Sequence, residues 1–316
     1  MSWQAVVPEP SELGESPFWH PLEQMLYWVD ILGKKILRTN VFMGTVQCWS
    51  LPIEPGCIAP AASGGLVMAL RDGIYRAQEW GGALTLIQRF GHDTATTRFN
   101  DGKADPLGRF WAGTMYEPRD VASAELFSVD CRRTRTPEVQ RMAGDATIAN
   151  GLAWSPDAKT VYWSDTLRHM IQAWDWDADS NAMSGQRMFH QFPLKPADWT
   201  YAASGTTDAP AKKDGAAYGG RPDGADVDTQ GNYYVAMYEG ARLLKFAPGG
   251  ELLGDIPAPV LCPTMPCFGG DDLKTLFLTT ARHNRSPQEL ADMPLSGCVF
   301  SMRVDVPGRP VNFFRD

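Results

Sequence analysis

Six stretches of one design recur along the chain: "QMLYWVDI" from Gln24, "GGLVMALR" from Gly64, "GRFWAGTM" from Gly108, "KTVYWSDT" from Lys159, "GNYYVAMY" from Gly231 and "KTLFLTTA" from Lys274. Each leaves a turn-like residue and runs into β-branched and aromatic strand formers. Asp/Pro/Gly-rich connections ("DPLG", "SPDAK", "DTQG", "GDDLK") precede several of them, and these residue types close tight hairpins. A further strand-like run follows each, as in "KKILRT", "AELFSVD" and "GCVFSMRVD". The starts lie 40 to 51 residues apart, with one interval of 72. A repeat of about 40–50 residues made only of short strands is the signature of a propeller, one four-stranded blade per unit. The expectation is therefore an all-β, six-bladed β-propeller. No segment keeps a 3.6-residue apolar period over the roughly 10–12 residues a helix needs, which disfavours α/β alternatives. The unmatched run "SWQAVV" near the N-terminus is expected to complete the last blade and leave no open sheet edge.

The 316 residues, 44% hydrophobic, suffice for one large core, and residues 1–316 read as a single propeller domain. The long interval holds a small-residue, polar segment, 193–222, expected to be a surface insertion or a lid. A net charge of −8 without an extended basic face argues against nucleic acid as a partner. Residues 1–7 lack the features of a secretory signal, and no apolar run approaches the ~20 residues that cross a bilayer, so no membrane partner is expected. Six scattered cysteines, without metal-ligand spacing, read as reduced thiols. The expected location is the cytoplasm.

Aligning the units exposes a pattern eight or nine residues upstream of four of them: Glu15, Asn100, Asn150 and Asp223, in "LGESPFW", "RFNDGKAD", "IANGLAWS" and "RPDGADVD". The innermost strand of each blade faces the axial channel, so one polar residue at a matching place in several blades converges on one point. Two carboxylates and two amide oxygens suit one divalent cation, and the axis is expected to carry a metal site. Its identity stays open among calcium, manganese, zinc, magnesium and iron. A single such motif is more simply an Asx turn, but four at one offset favour the ring. Asp101 and Asp105 are expected to shape the turn, and Lys103 to pair with an acid in the channel wall. Arg98 either donates to a ligand or forms a structural ion pair with a nearby Asp. Trp154, Trp163 and Trp199 are expected in the core rather than stacked on a ligand.

"GESPFW", "RFNDGKADPLGRFWAGTM", "NGLAWSPD", "RPDGADVD" and "CFGGDDLKTLFLTTAR" together resemble the SMP-30/gluconolactonase/regucalcin-like family, over about residues 11 to 306. The resemblance implies a six-bladed propeller with one divalent ion in the channel, hydrolysing sugar lactones. It implies Glu15, Asn150 and Asp223 as metal ligands, Asp223 also as catalytic base, and Arg98 and Asn100 as substrate contacts. Glu117 in "TMYEPRD" is a further substrate contact whose register is ambiguous. The alternatives are a non-catalytic calcium-binding propeller scaffold, or a hydrolase of phosphotriesters or other esters. The chain lacks G-x-S-x-G, G-x-x-x-x-G-K-[ST] and G-x-G-x-x-G, which removes support for serine esterases, NTPases and dinucleotide-dependent dehydrogenases.

Overall fold

The computed structural model describes residues 2–41, 43–134, 136–201 and 218–316. The strands form six four-stranded antiparallel sheets, each in simple up-and-down order from its inner strand outward. The inner strands are Gly14–His20, Pro55–Pro60, Thr97–Ala104, Ala149–Trp154, Arg221–Val227 and Pro263–Gly269, for blades 1 to 6. The expected closure is present: Gln4–Val7 is the outermost strand of blade 6, pairing antiparallel with Val299–Arg303. The first and last parts of the chain thus share one sheet. One short helix, Pro287–Asp292, interrupts blade 6; Ser286 caps it and Pro287 opens it, where a missing N–H costs nothing.

Burial falls steeply from axis to rim. The inner strand of blade 1 is buried at every residue, whereas its outermost strand Thr45–Ser50 is mostly exposed. Inner strands touch neighbouring blades on both sides and are buried almost throughout, whereas the outermost strands are largely exposed. Between blades the packing is aromatic: Trp111, Trp154 and Trp176 meet with ring centroids 5.3–5.9 Å apart, and Tyr162 lies 5.0 Å from Tyr233. Trp163 is buried in the same layer as expected.

The hairpin turns use the chemistry read from the sequence. Asp105 accepts from the amides of Leu107 and Arg109 and from the indole of Trp111, and pairs with the Arg109 guanidinium at 3.2 Å. Asp228 does the same for Gln230 and Asn232. Asp101 departs from its expected role: it lies in the channel, accepting from Leu152 N of the next blade at 3.0 Å. A β-bulge between Phe99 and Gly102 turns it off the hairpin and toward the axis.

That bulge belongs to a series. The pairing register of every inner strand shifts at the same place: between Glu15 and Phe18, Pro55 and Cys57, Phe99 and Gly102, Asn150 and Ala153, Pro222 and Ala225, and Pro263 and Met265. A bulge frees one or two residues from the ladder and re-aims their side chains. Crowding at the axis demands glycine beside them. Gly151 has φ +62, and a Cβ there would fall 2.3 Å from Ser164 Oγ; at Gly224 it would fall 2.4 Å from Met265 Cβ.

Candidate active site

At the bulges, blades 1, 3, 4 and 5 carry Glu15, Asn100, Asn150 and Asp223, and all four line one cleft of about 380 Å³ at one end of the axis. Blades 2 and 6 carry Gly56 and Thr264 there. Thr264 Oγ1 donates to Gly14 O at 2.5 Å and so fastens blade 6 to blade 1. Arg98 and Glu117 line the same cleft, so all six residues singled out from the sequence meet in it.

Their hydrogen bonds separate their parts. Asn150 Nδ2 donates to Thr166 Oγ1 at 2.7 Å, and Thr166 in turn donates to Pro222 O. This fixes Asn150 Oδ1 as the free end, which accepts from Asn100 Nδ2 at 3.0 Å and keeps a second lone pair. Asn100 also donates to Ala149 O and accepts from Arg98 Nη1 at 2.8 Å, so its side chain is committed within the protein. Arg98 Nη1 holds Phe99 O as well, while its Nε, 3.6 Å from Glu117 Oε1, makes no hydrogen bond among the described residues. The ion pair of Arg98 is thus with Glu117 rather than with a neighbouring Asp. Glu117 is anchored by Arg71 Nη1 at 2.9 Å and Nη2 at 3.2 Å.

The electrostatics are unusual for a buried site. Among the described residues Glu15 accepts only from the amide of Ser16 at 3.1 Å, and Asp223 is held by the amide of Gly224. Burial, and then the nearby charges of Asp223 and Asp101, raise the Glu15 carboxyl well above its ordinary pKa. Burial followed by Asp101 does the same to Asp223, and burial raises Asp101. Asp101 Oδ1 has no hydrogen-bond partner among the described residues. Burial also lowers Arg98, to about 10.

Sequence reasoning missed the other wall. Arg221, Lys195, Glu239 and Arg285 also line the cleft. Glu239 accepts from Lys195 Nζ at 2.7 and 2.8 Å, Arg285 Nη1 at 2.9 Å and Tyr218 OH at 2.8 Å, with Arg221 Nη2 3.1 Å away. Burial alone would raise Glu239, but Arg221, Lys195, Arg285 and Tyr218 outweigh it and hold the carboxyl at about 2. A signal existed: "RFND…MYE" in blade 3 recurs as "RPDG…MYE" in blade 5, so Arg221 and Glu239 occupy the places of Arg98 and Glu117. Of the segment 193–222, residues 202–217 lie outside the described residues; its ends bring Lys195 and Tyr218 to this wall.

The opposite end of the axis is different. A cavity of about 70 Å³ there is lined by Phe18, Trp154, Phe268 and the tail residues Arg309–Asn312. Lys103 pairs there with Asp226 at 3.5 Å and donates to Ala225 O, as the channel-wall expectation had it. Trp199 packs edge-on to Tyr218 beneath Lys195 Nζ. Among the described residues no three His, Cys, Asp or Glu form a ready metal cage, and no helix is long and apolar enough to cross a membrane. All six cysteines are free thiols.

Six blades with an oxygen-rich cleft built on the inner-strand bulges define a propeller with a polar cavity at one mouth of its axis. The chain belongs to the SMP-30/gluconolactonase/LRE-like family, whose model matches residues 13–282. It is 42% identical to a 6-deoxy-6-sulfogluconolactonase of Pseudomonas putida, covering 96% of each chain, and 32% identical to regucalcin of Danio rerio, covering 95% of this chain and 93% of that one. The solved structure of a calcium-binding regucalcin from Agrobacterium tumefaciens superposes with a TM-score of 0.86 at 23% identity, over 100% of this chain and 98% of that one, and establishes the shared fold.

Proposed function

We propose that the chain is one propeller domain that opens sugar lactones to their acids, with a single divalent cation held by Glu15, Asn150 and Asp223. The observation that carries this reading is the meeting, in one cleft, of two buried carboxylates, an oriented amide oxygen and the guanidinium of Arg98. Membership of a family with gluconolactonases in its name, and a relative named for a sulfogluconolactone, support the lactone as substrate.

The residues fit such an ion. Burial raises the pKa of the three carboxyls Glu15, Asp101 and Asp223, the charge of Asp101 raises the other two further, and among the described residues one Asp101 oxygen has no hydrogen-bond partner, which is an arrangement a cation relieves. Hard oxygen donors without histidine suit calcium, magnesium or manganese over zinc or iron. When bound, a divalent ion supplies Lewis acidity toward a carbonyl oxygen and lowers the pKa of a bound water.

The protein's own groups do the rest. Arg98 retains donors for lactone oxygens, and its delocalised, planar charge suits a multi-point contact. Asn100 orients the Asn150 oxygen and carries Arg98. Asp223 takes a proton as the attacking water forms its bond to the carbonyl carbon. It returns that proton to the ring oxygen as the carbon–oxygen bond of the ring breaks. Glu117 holds Arg98 from the cleft side. A reducing, cytoplasmic setting accords with six free thiols.

The test is acid release from aldonolactones, followed with a pH indicator, with and without chelator. Chelator-sensitive release is expected. Saturable calcium binding with no turnover of any lactone would instead favour the scaffold reading, and faster turnover of phosphotriesters than of lactones the other hydrolase.

A further inference from the structure

The blade 5 wall differs from an ordinary ion-pair cluster in what it leaves unsatisfied. Glu239 is buried, and its two oxygens already accept from Lys195, Arg285 and Tyr218 with Arg221 alongside. Two oxygens offer about four lone-pair positions, so this acceptor is saturated. Arg285 is further neutralised by Glu289 at 2.8 Å. Among the described residues, three cations therefore share two carboxylates. Arg221 Nε is buried with no hydrogen-bond partner among the described residues, and Lys195 keeps 30% of its side chain exposed at the mouth. What the wall has left to offer a ligand is donors and a net positive charge. A sugar hydroxyl both donates and accepts, whereas an oxyanion only accepts, and charge-assisted bonds to it are the stronger.

We infer that Arg221 and Lys195, held in place by Glu239, form a subsite for an anionic substituent on the substrate, a sulfonate, phosphate or carboxylate remote from the reacting carbonyl. Arg221 stands two residues before Asp223 on the same strand, so a molecule with its carbonyl at Asp223 lies directly beside this wall. The inference rests on the lactonase reading for its substrate, but the wall stands on its own geometry.

The experiment compares kcat/KM for glucono-1,5-lactone with that for the same lactone carrying a sulfonate or a phosphate ester at C6, at low and high salt. The anionic lactones are expected to be preferred about tenfold to hundredfold, the size of one or two hydrogen bonds to charged groups, with the preference shrinking as salt is added. Lys195→Met, at a side chain 30% exposed, and Arg221→Gln should each cut that preference at least about fivefold. The sulfonate and phosphate arms separate the two tetrahedral anions, and glucuronate in a binding assay reports the planar one. Equal kcat/KM for neutral and anionic lactones, or a preference untouched by both variants, overturns the subsite while leaving the lactonase reading in place. Binding is measured in parallel by calorimetry with unreactive sugars: glucose, glucose 6-phosphate, 6-deoxy-6-sulfoglucose and glucuronate. Selective binding of the charged sugars, lost in Lys195→Met, with no turnover of any lactone would uphold the subsite and sink the lactonase reading.

Discussion

Blades 3 and 5 flank blade 4 and present the same arrangement to the cleft: an arginine, an oxygen-bearing residue two positions on, and a glutamate from the end of the second strand. Their surroundings make them different devices. Arg98 is buried and bonded to Asn100 and Phe99 O, and its glutamate is a partly exposed group shared with Arg71. Arg221 has a buried glutamate that is also claimed by Lys195 and Arg285. Blade 3 thus braces the amide oxygen of Asn150, whereas blade 5 combines a carboxylate at the axis with an excess of positive charge among the described residues beside it. A duplicated motif fixes where the side chains start; its neighbours decide their charge balance.

The largest expected effect tests the asymmetry between the two ring residues. Asp223→Asn should lower kcat on an aldonolactone by about a thousandfold, within the range for a lost general base, and Asn100→Ala by about tenfold to hundredfold. Equal losses in an acid-release assay would mean that the two blades are equivalent at the axis.

Removal of the cation comes next. Glu15 and Asp223 have pKa values raised above their ordinary 4.5 and 3.8, so their contribution to stability is present below those values and is lost as pH rises through the folded ones. Chelated protein should therefore gain more in Tm from added calcium or manganese at pH 8 than at pH 5, by several degrees. A gain independent of pH would place the ion elsewhere.

The two glutamates should separate in stability. Glu239→Gln breaks a buried cluster, with an expected loss of about 3 kcal/mol and a fall in Tm of roughly 5–10 °C. Glu117→Gln, at a partly exposed site, should cost less than about 1 kcal/mol. The Glu239 carboxyl is held at about 2 against an ordinary 4.5, so its stabilisation is present above pH 4.5 and is lost as pH falls toward 2. The difference in Tm between the native protein and Glu239→Gln should narrow over that window; a constant difference would remove the ion cluster as its cause.

The smallest effect is expected at the far end of the axis. Trp154 lines the small cavity there, and its indole N–H has no hydrogen-bond partner among the described residues. Trp154→Phe should cost about 1–2 kcal/mol of packing and leave kcat within about twofold. A larger change in kcat would couple the two ends of the channel.

Much of the site was legible because a propeller converts sequence spacing into radial position. A shared offset of eight or nine residues was enough to bring Glu15, Asn100, Asn150 and Asp223 to one cleft, and Lys103 and Asp105 found the roles their contexts indicated. Asp101 was misread because an Asp before Gly in sequence is an Asx turn by default, and only the bulge in the ladder shows it turned to the axis. Glu117, whose register the sequence leaves ambiguous, lies in the same cleft 3.6 Å from Arg98. Arg221 and Glu239 were written in the sequence as a second copy of the blade 3 motif, visible once the blades are compared pairwise. Lys195 and Arg285 carried no such signal, since both come from segments outside the repeating strands.

The sequence by itself determined the number of blades, the closure of the ring by the N-terminal strand and the residues that face the axis, because strand periodicity and turn chemistry are local and repeat. Only the tertiary structure decided how those residues share protons and charge. Which carboxylate is repelled, which amide oxygen is free and which cations crowd one glutamate all depend on approaches between blades far apart in the chain, and electrostatic energy in a buried site varies with those distances rather than with residue type.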